Sequence, residues 1–490
     1  MNPDPGVDRD HPTLAAPRVA RNTAYLALAD VANKVMVFVF FALAARHLGT
    51  EKFGIFSLAL AFTTMFSVFS DLGLGFLAAR EIARDSSVAS RYIGNALAIK
   101  VAVSVLLIGI VTLTVRLLGY PSTTVAVVGV TSLFILTSAV ALYYSFIFQG
   151  FERMEFTALT RMLQTGTLIT GGVLLGRGAA VTLRYAWLYV GAGFAAALAS
   201  AVVCAAVLVA PSLRLELRTM VRMLRAAFPF GLASVFVVLY YWNGTALLSK
   251  FKGDSEVGLY SAAFRLVLGV GFLSFAFSGA MYPVMSRLHQ GAAQRLQAGI
   301  TSSLRYVMIL AVPVAVFGLV LAGPLVRFIY GGQYVGSVAM LRVLAWWGGL
   351  ASLNSMLSNY LYAVDRPGVV MLQSAVGLGV NVLLNFLLIP LAGGIGAAVS
   401  ITAAEFTGTV MLTVAQRTTA ARADLRQLAG CWGRCLIAAV LVAPLAWVLA
   451  KLHVLVSVAV GLSVYILLLT MLRGFDRADV LLLRRVLGKE

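Results

Sequence analysis

Apolar runs of roughly 20 residues or more recur from Asn22 to Arg473, and each is long enough to cross a hydrocarbon core as a helix. Lipid offers no hydrogen-bond partner, so a spanning backbone must satisfy its own N–H and C=O groups, in a helix or in a closed barrel. Barrel strands alternate apolar and polar residues. These runs are continuous, which leaves an all-α integral membrane protein. Charged residues make up only 12% of the chain, against roughly 25% in soluble domains. The formal net charge of +19 therefore reads as the loop cations of a bilayer protein, and no nucleic-acid partner is expected.

The runs resolve into fourteen expected spans, from 21–46 to 454–472, joined by short connections. With the N-terminus placed inside, most Lys and Arg fall on the inner side, among them Arg80, Arg84, Arg91, Arg153 and Arg161. Both termini are then cytoplasmic. Residues 1–20 read as a disordered cytoplasmic tail without signal-peptide features, and 474–490 as a basic cytoplasmic tail.

An internal repeat runs through the chain. "GTEKFGIFSLA" from Gly49 matches "GDSEVGLYSAA" from Gly253 without a gap, pairing Gly54 with Gly258 and Ser57 with Ser261. "FQGFER", ending at Arg153, matches "YAVDR", ending at Arg366, and "GRGAAV" from Gly176 matches "GIGAAV" from Gly394. The chain thus divides into an N-lobe (21–210), a basic inter-lobe linker (211–225), a C-lobe (226–416) and two further spans (417–473). Six spans per lobe is an even number, so both lobes enter from the same side. That makes a parallel repeat about a pseudo-two-fold axis along the membrane normal. The linker carries Arg214, Arg218, Arg222 and Arg225, a spacing that fits either a helix on an anionic leaflet or a plain basic loop.

A charge at the bilayer centre costs roughly 2.5–3.5 kcal/mol on insertion scales, so charges inside spans face a bundle interior or a wet cavity. Asp30 and Lys34 share one face of the first span, with Asn33 beside them. They fit an internal ion pair or a cavity wall. Tyr240, Tyr241, Trp242 and Asn243 lie at mid-depth of the seventh span and Arg265 in the eighth. This face is expected to confront Asp30 and Lys34 across the pseudo-axis. Aromatic rings stack on sugars and Arg pairs with phosphate bidentately; core packing and snorkelling are the plainer alternatives.

Glu405 sits mid-span with no basic residue near it in sequence, as a proton or sodium site or as a hydrogen-bonded neutral acid. Asp71 is expected to cap a helix or to pair with Arg80 or Arg84. Secondary candidates are Lys100 and Arg305, the latter expected to snorkel, and Asn381 with Asn385, which could join helices or line the cavity. Cys204, Cys431 and Cys435 lack the His or acidic partners of a metal site and read as packing. No catalytic constellation or cofactor motif is present in the sequence. Transport energy would come from a proton or sodium gradient, the membrane potential or substrate consumption.

Three stretches carry a family resemblance: "RHLGTEKFGIFSLALAFTTMFSVFSDLGLGFLAAREIARD", "AFPFGLASVFVVLYYWNGTALLSKFKGDSEVGLYSAAFRL" and "FIYGGQYVGSVAMLRVL". They resemble the Wzx-like polysaccharide flippases of the multidrug/oligosaccharidyl-lipid/polysaccharide exporter superfamily. The resemblance implies two six-helix lobes in a V around a cationic cavity in the bacterial cytoplasmic (inner) membrane. It implies a non-enzymatic carrier that moves a polyprenyl-diphosphate-linked oligosaccharide between leaflets for exopolysaccharide, O-antigen or capsule export. A polymerase or co-polymerase of the same pathway would be a partner, with membrane lipids around it. By position, the family's cavity cations map onto Lys34 and Arg265, with Asp30 beside them. The chain lacks the arginine triad of the related lipid II flippases. An ion-coupled drug antiporter or lipid II flippase of the same superfamily, and a membrane glycan polymerase or ligase, are the alternatives.

Overall fold

A computed structural model of the chain describes residues 12–175, 181–212, 214–289, 293–419 and 421–475. Residues 1–11 of the expected tail, residues 176–180 of the "GRGAAV" motif and residues 476–490 of the basic tail lie outside the described residues.

The elements are helical throughout: α1 (Pro12–Asp71), α2 (Leu74–Arg84), α3 (Ala89–Leu117), α4 (Ser122–Ser132), α5 (Phe134–Gly150), α6 (Met154–Leu174), α7 (Val181–Val203), α8 (Leu217–Lys252), α9 (Asp254–His289), α10 (Ala293–Val320), α11 (Ala322–Tyr330), α12 (Ser337–Ala363), α13 (Pro367–Gln416), α14 (Leu425–Ala450) and α15 (Val454–Met471). Fifteen helices thus stand among the described residues where fourteen spans were expected. The difference has local causes. α1 and α13 each join two expected spans through a glycine, Gly49 (φ 73°) and Gly393 (φ 56°), whose left-handed backbone breaks the helix without a Cβ clash. The fourth span is cut at Leu133 into α4 and α5, and α2 and α11 are short helices at the ends of spans.

Nine helical stretches among the described residues are long and apolar enough to cross a membrane. α6 and α12 are long enough but carry polar side chains that line internal hollows, Arg161 and Gln164 on the one, Asn354 and Ser358 on the other. α1 begins at Pro12, so residues 12–20 are helical rather than a disordered tail. Proline at the first helical position lacks only an N–H that would have no partner there.

The repeat is visible in the backbone. Gly49 and Gly253 adopt the same conformation, φ 73°, ψ 175° and φ 83°, ψ 179°. Glu152 and Asp365, matched in the second motif pair, both have φ 57°, a region that side-chain-bearing residues seldom enter. The lobes meet along α1 and α9. At the end of the bundle remote from the linker, a Cβ added to Gly54 would lie 1.7 Å from the Asp254 carbonyl oxygen, and one added to Gly258 would lie 1.9 Å from that of Thr50. At the linker end, Gly231 of α8 lies directly on the Leu72 backbone.

The linker does not float. Ser212 N–H donates to the Ser90 carbonyl, Glu216 N–H to Asn95 Oδ1, and Arg91 pairs with Glu216, which docks the linker on the start of α3. Arg218, Arg222 and Arg225 project from the first turns of α8, which runs on without a break into the seventh span. α14 packs against α10, and α15 against α14, around Cys431, Cys435 and Tyr465. The Tyr465 hydroxyl donates to the Ile309 carbonyl at 3.1 Å.

Candidate functional site

Two adjoining hollows open inside the N-lobe between α1, α5 and α6. One, of about 330 Å³, is lined by Asp30, Asn33, Gln149 and Arg161 among others. The other, about 270 Å³, shares Leu142, Ser145 and Arg161 and adds Thr63, Ser67 and Gln164. The Arg161 guanidinium stands 3.5 Å from the Asp30 carboxylate, both half-exposed to the hollow. The Thr165 hydroxyl donates to Asn33 Oδ1 at 2.6 Å and fixes that amide. The sequence counts Arg161 among the inner-side cations, close to a span edge. It lies on α6, where Thr157, Arg161 and Gln164 recur at helical spacing on one face, turned into the hollows.

Lys34 turns away from this pair. It is exposed, and among the described residues it forms no ion pair. The charge partner of Asp30 is therefore Arg161, from another helix, and not its neighbour in sequence.

A third hollow, of about 260 Å³, lies in the C-lobe between α8, α12 and α13. Its floor is Glu405, 7% exposed. The Glu405 carboxylate accepts from Tyr240 (2.6 Å), Asn354 (2.6 Å) and the Trp347 indole (3.1 Å). Isolated in the sequence, it is held by three neutral donors in space. The hollow is the repeat counterpart of those in the N-lobe: in the register of the Arg153–Arg366 match, Ser145 answers to Ser358, Gln149 to Tyr362 and Arg161 to Ser374, and each member of a pair lines its lobe's hollow. The cation is thus present in one half only.

The aromatic face expected to line the central cavity packs largely on itself. Tyr241 lies edge-on to Tyr240 and Trp347, and Trp242 edge-on to Phe264. Tyr240 and Tyr241 still reach the C-lobe hollow. Asn243 does not: its amide donates to Asn381 Oδ1 at 2.8 Å and accepts from Asn385 at 2.8 Å. The three asparagines form a buried knot between α8 and α13, the helix-joining role and not the cavity-lining one. In bilayers such bonds contribute about 0.6 kcal/mol each on average.

Arg265 lies on the lobe seam, its guanidinium carbon 3.4 Å from the centre of the Phe41 ring of α1. Its Nε is buried without a hydrogen-bond partner. Lys100 is fully buried and bonds Asp71 at 2.5 Å, with the Tyr143 ring 5.3 Å away. The pairing of Asp71 with Arg80 or Arg84 is thereby corrected; those two arginines turn to Glu81 at the surface. Arg305, expected to snorkel, is 4% exposed and lies beside the Tyr306 ring. Both α3 and α10 begin well ahead of these residues, so Lys100 and Arg305 lie inside the packed lobes and not at the helix starts. Cys431 and Cys435 sit 3.9 Å apart, both free thiols in the α14 core.

Comparison with known proteins places these features in a family. Residues 19–289 match the family model described as polysaccharide biosynthesis protein, and residues 229–387 match the MatE model. The chain is 25% identical over 391 residues to a probable low-salt glycan biosynthesis flippase, Agl15, of Haloferax volcanii, covering 78% of this chain and 80% of that one. It is 29% identical over 165 residues to the probable flippase AglR of the same organism, 33% of this chain and 34% of the relative. The fold superimposes on the lipid II flippase MurJ in an inward closed conformation with a TM-score of 0.75, at 13% identity over 91% of this chain and 98% of that one. An inward-facing multidrug resistance MATE family transporter matches with a TM-score of 0.64, at 13% identity over 79% and 96%.

Proposed function

The chain belongs to the polysaccharide biosynthesis protein family, and from that premise we propose that it is a flippase that moves a polyprenyl-diphosphate-linked oligosaccharide across the cytoplasmic membrane by alternating access. The observation that carries the reading is the N-lobe hollow with its Asp30–Arg161 pair. A lipid-linked glycan presents an anionic diphosphate and neutral hydroxylated sugars. Arg161 suits the diphosphate, as a planar guanidinium pairs with two phosphate oxygens at once. Asn33, Gln149 and Gln164 offer donors and acceptors to hydroxyls. Asp30 holds Arg161 in place until phosphate displaces it. Arg265 on the seam extends the cationic path, and Tyr241 in the C-lobe hollow offers a surface for sugar rings.

The linker end faces the cytoplasm, because Arg80, Arg84, Arg91 and the linker arginines gather there; both termini are then cytoplasmic. Glu405 in the C-lobe hollow and Asp30 in the N-lobe are the sites through which a proton or sodium gradient couples to transport. A polymerase or co-polymerase of the same pathway receives the flipped glycan. The buried carboxyl in a C-lobe hollow, together with the MatE match, favours an ion-coupled drug antiporter as the second reading.

The test is reconstitution. Vesicles loaded with fluorescent polyprenyl-diphosphate glycan and purified protein should expose the glycan to an external reductant faster than empty vesicles do. A deletion strain should accumulate the same intermediate. Protein-free rates of exposure, together with gradient-driven efflux of cationic dyes, would instead support the antiporter.

A further inference from the structure

The two lobes are clasped at the end remote from the linker by a reciprocal pair of contacts. Arg46, near the end of the first half of α1, reaches across the seam to the last turn of α11. Its Nε donates to the Ile329 carbonyl at 2.7 Å and an Nη to the Phe328 carbonyl. Lys250, near the end of α8, reaches the other way, and its ammonium donates to the Leu118 carbonyl at the end of α3. The same ammonium lies 4.2 Å from the centre of the Tyr120 ring.

These contacts are repeat mates. In the register that pairs Gly49 with Gly253, Arg46 answers to Lys250, each the same distance ahead of its turn glycine. Their acceptors also correspond in kind. Each is the C-terminal end of a helix in the opposite lobe, closed by a left-handed glycine: Gly331 (φ 95°) after α11 and Gly119 (φ 71°) after α3. Such ends expose carbonyls without helical partners and carry partial negative charge, which favours a cation.

We infer that Arg46 and Lys250 are gating residues, a two-fold-related pair of releasable clasps that hold the remote ends of the lobes shut and let go when that side opens. The chemistry suits repeated release. Both cations are exposed, so water re-solvates them on separation. Both acceptors are neutral carbonyls, so no carboxylate is left uncompensated. The surrounding seam supplies the fixed fit: Tyr334 donates to the Ala45 carbonyl at 2.9 Å, Ser255 bonds Thr50 at 3.2 Å, and Gly54 meets Gly258. Because each lobe contributes one cation and one helix end, loss of either clasp weakens closure and loss of both removes the charge-assisted part of it. The inference rests on the alternating-access reading.

The experiment reports on the gate without requiring transport. Ser57 is fully buried one turn beyond Gly54. Ser57→Cys, in a chain whose three native cysteines are replaced by Ala, is reconstituted in lipid vesicles, and its labelling rate by a membrane-impermeant maleimide present on both faces is measured. Arg46→Ala and Lys250→Ala should each raise the rate roughly two- to fivefold, and the double variant by about the product. Arg46→Lys and Lys250→Arg should restore protection, which separates loss of the clasp from misfolding. An unchanged rate in the double variant overturns the clasp, whatever the glycan assay returns. A raised rate in a protein that fails to flip glycan keeps the clasp and discards the glycan reading.

Discussion

Gly54 and Gly258 occupy the same position of the two repeats and face each other across the lobe seam, where the carbonyls of Asp254 and Thr50, one turn ahead of the facing glycine, fill the space in which their Cβ atoms would stand. The pseudo-axis therefore passes close to this contact. A repeat that pairs equivalent residues with each other makes a self-complementary interface, as a two-fold dimer does.

Enlarging either glycine should push the lobes apart at this end. Gly258→Val should destabilise the purified protein by about 1–3 kcal/mol, the usual cost of overpacking. Thermal unfolding in detergent measures it, and an unchanged melting temperature would mean that the seam is loose there. Gly323, with open space around it, is the control position for a Gly→Ala substitution on the same chain.

The Lys100–Asp71 bond ties α3 to the end of α1 deep in the N-lobe, just ahead of the turn at Leu72 and Gly73. Removing one partner strands the other's charge. Asp71→Ala should cost about 3–5 kcal/mol and lower the yield of folded protein. Lys100→Met combined with Asp71→Leu should recover much of that loss. Losses that simply add in the double variant would argue against a direct bond.

Arg161→Ala should cut glycan export about tenfold or more at unchanged protein level, a loss of roughly 1.4 kcal/mol or more in substrate interaction. Arg161→Lys should recover only part of it, since an ammonium cannot bridge two phosphate oxygens as the guanidinium fork does. Quantitative blotting of surface glycan against membrane-fraction protein reads both. Full export by Arg161→Ala would remove the N-lobe hollow as the headgroup site.

Linker docking should depend on pH. The Thr219 hydroxyl first, and then Arg91, hold the Glu216 carboxyl below the ordinary Glu range. A depressed carboxylate contributes to docking above its undocked pKa, roughly 4.3, and the contribution is lost as pH falls through the lower docked value. Protease cleavage between Pro211 and Arg218 should therefore be flat from neutral pH down to about 5 and rise below about 4. Glu216→Gln should raise cleavage at neutral pH and abolish the pH step. A step that persists in Glu216→Gln would assign it to another group.

Much of the architecture was legible because its signals are local. Helical membrane class follows from the length and continuity of apolar runs, and the repeat from glycines at fixed places in two stretches. Gly49 and Gly253 turn out to share one backbone conformation because the same short motif meets the same turn in each lobe. The site was legible only in part. Asp30, Asn33 and Glu405 stood out as polar residues in apolar context, and each lines a hollow. Arg161 did not stand out, since it lies close to a span edge where cations are common. Asn243 misled, because an amide in a span satisfies itself against another helix as readily as against a cavity.

The sequence by itself determined that this chain is a helical membrane protein built from two like halves, since span length, hydropathy and turn glycines act within a few residues of where they are written. Only the tertiary structure decided which charges meet: Asp30 with Arg161, Asp71 with Lys100, Arg46 and Lys250 with helix ends of the opposite lobe. Those partners are far apart along the chain, and their meeting depends on how each helix is rotated about its own axis when the lobes pack, a quantity set by the summed contacts of whole helix faces and by no single motif.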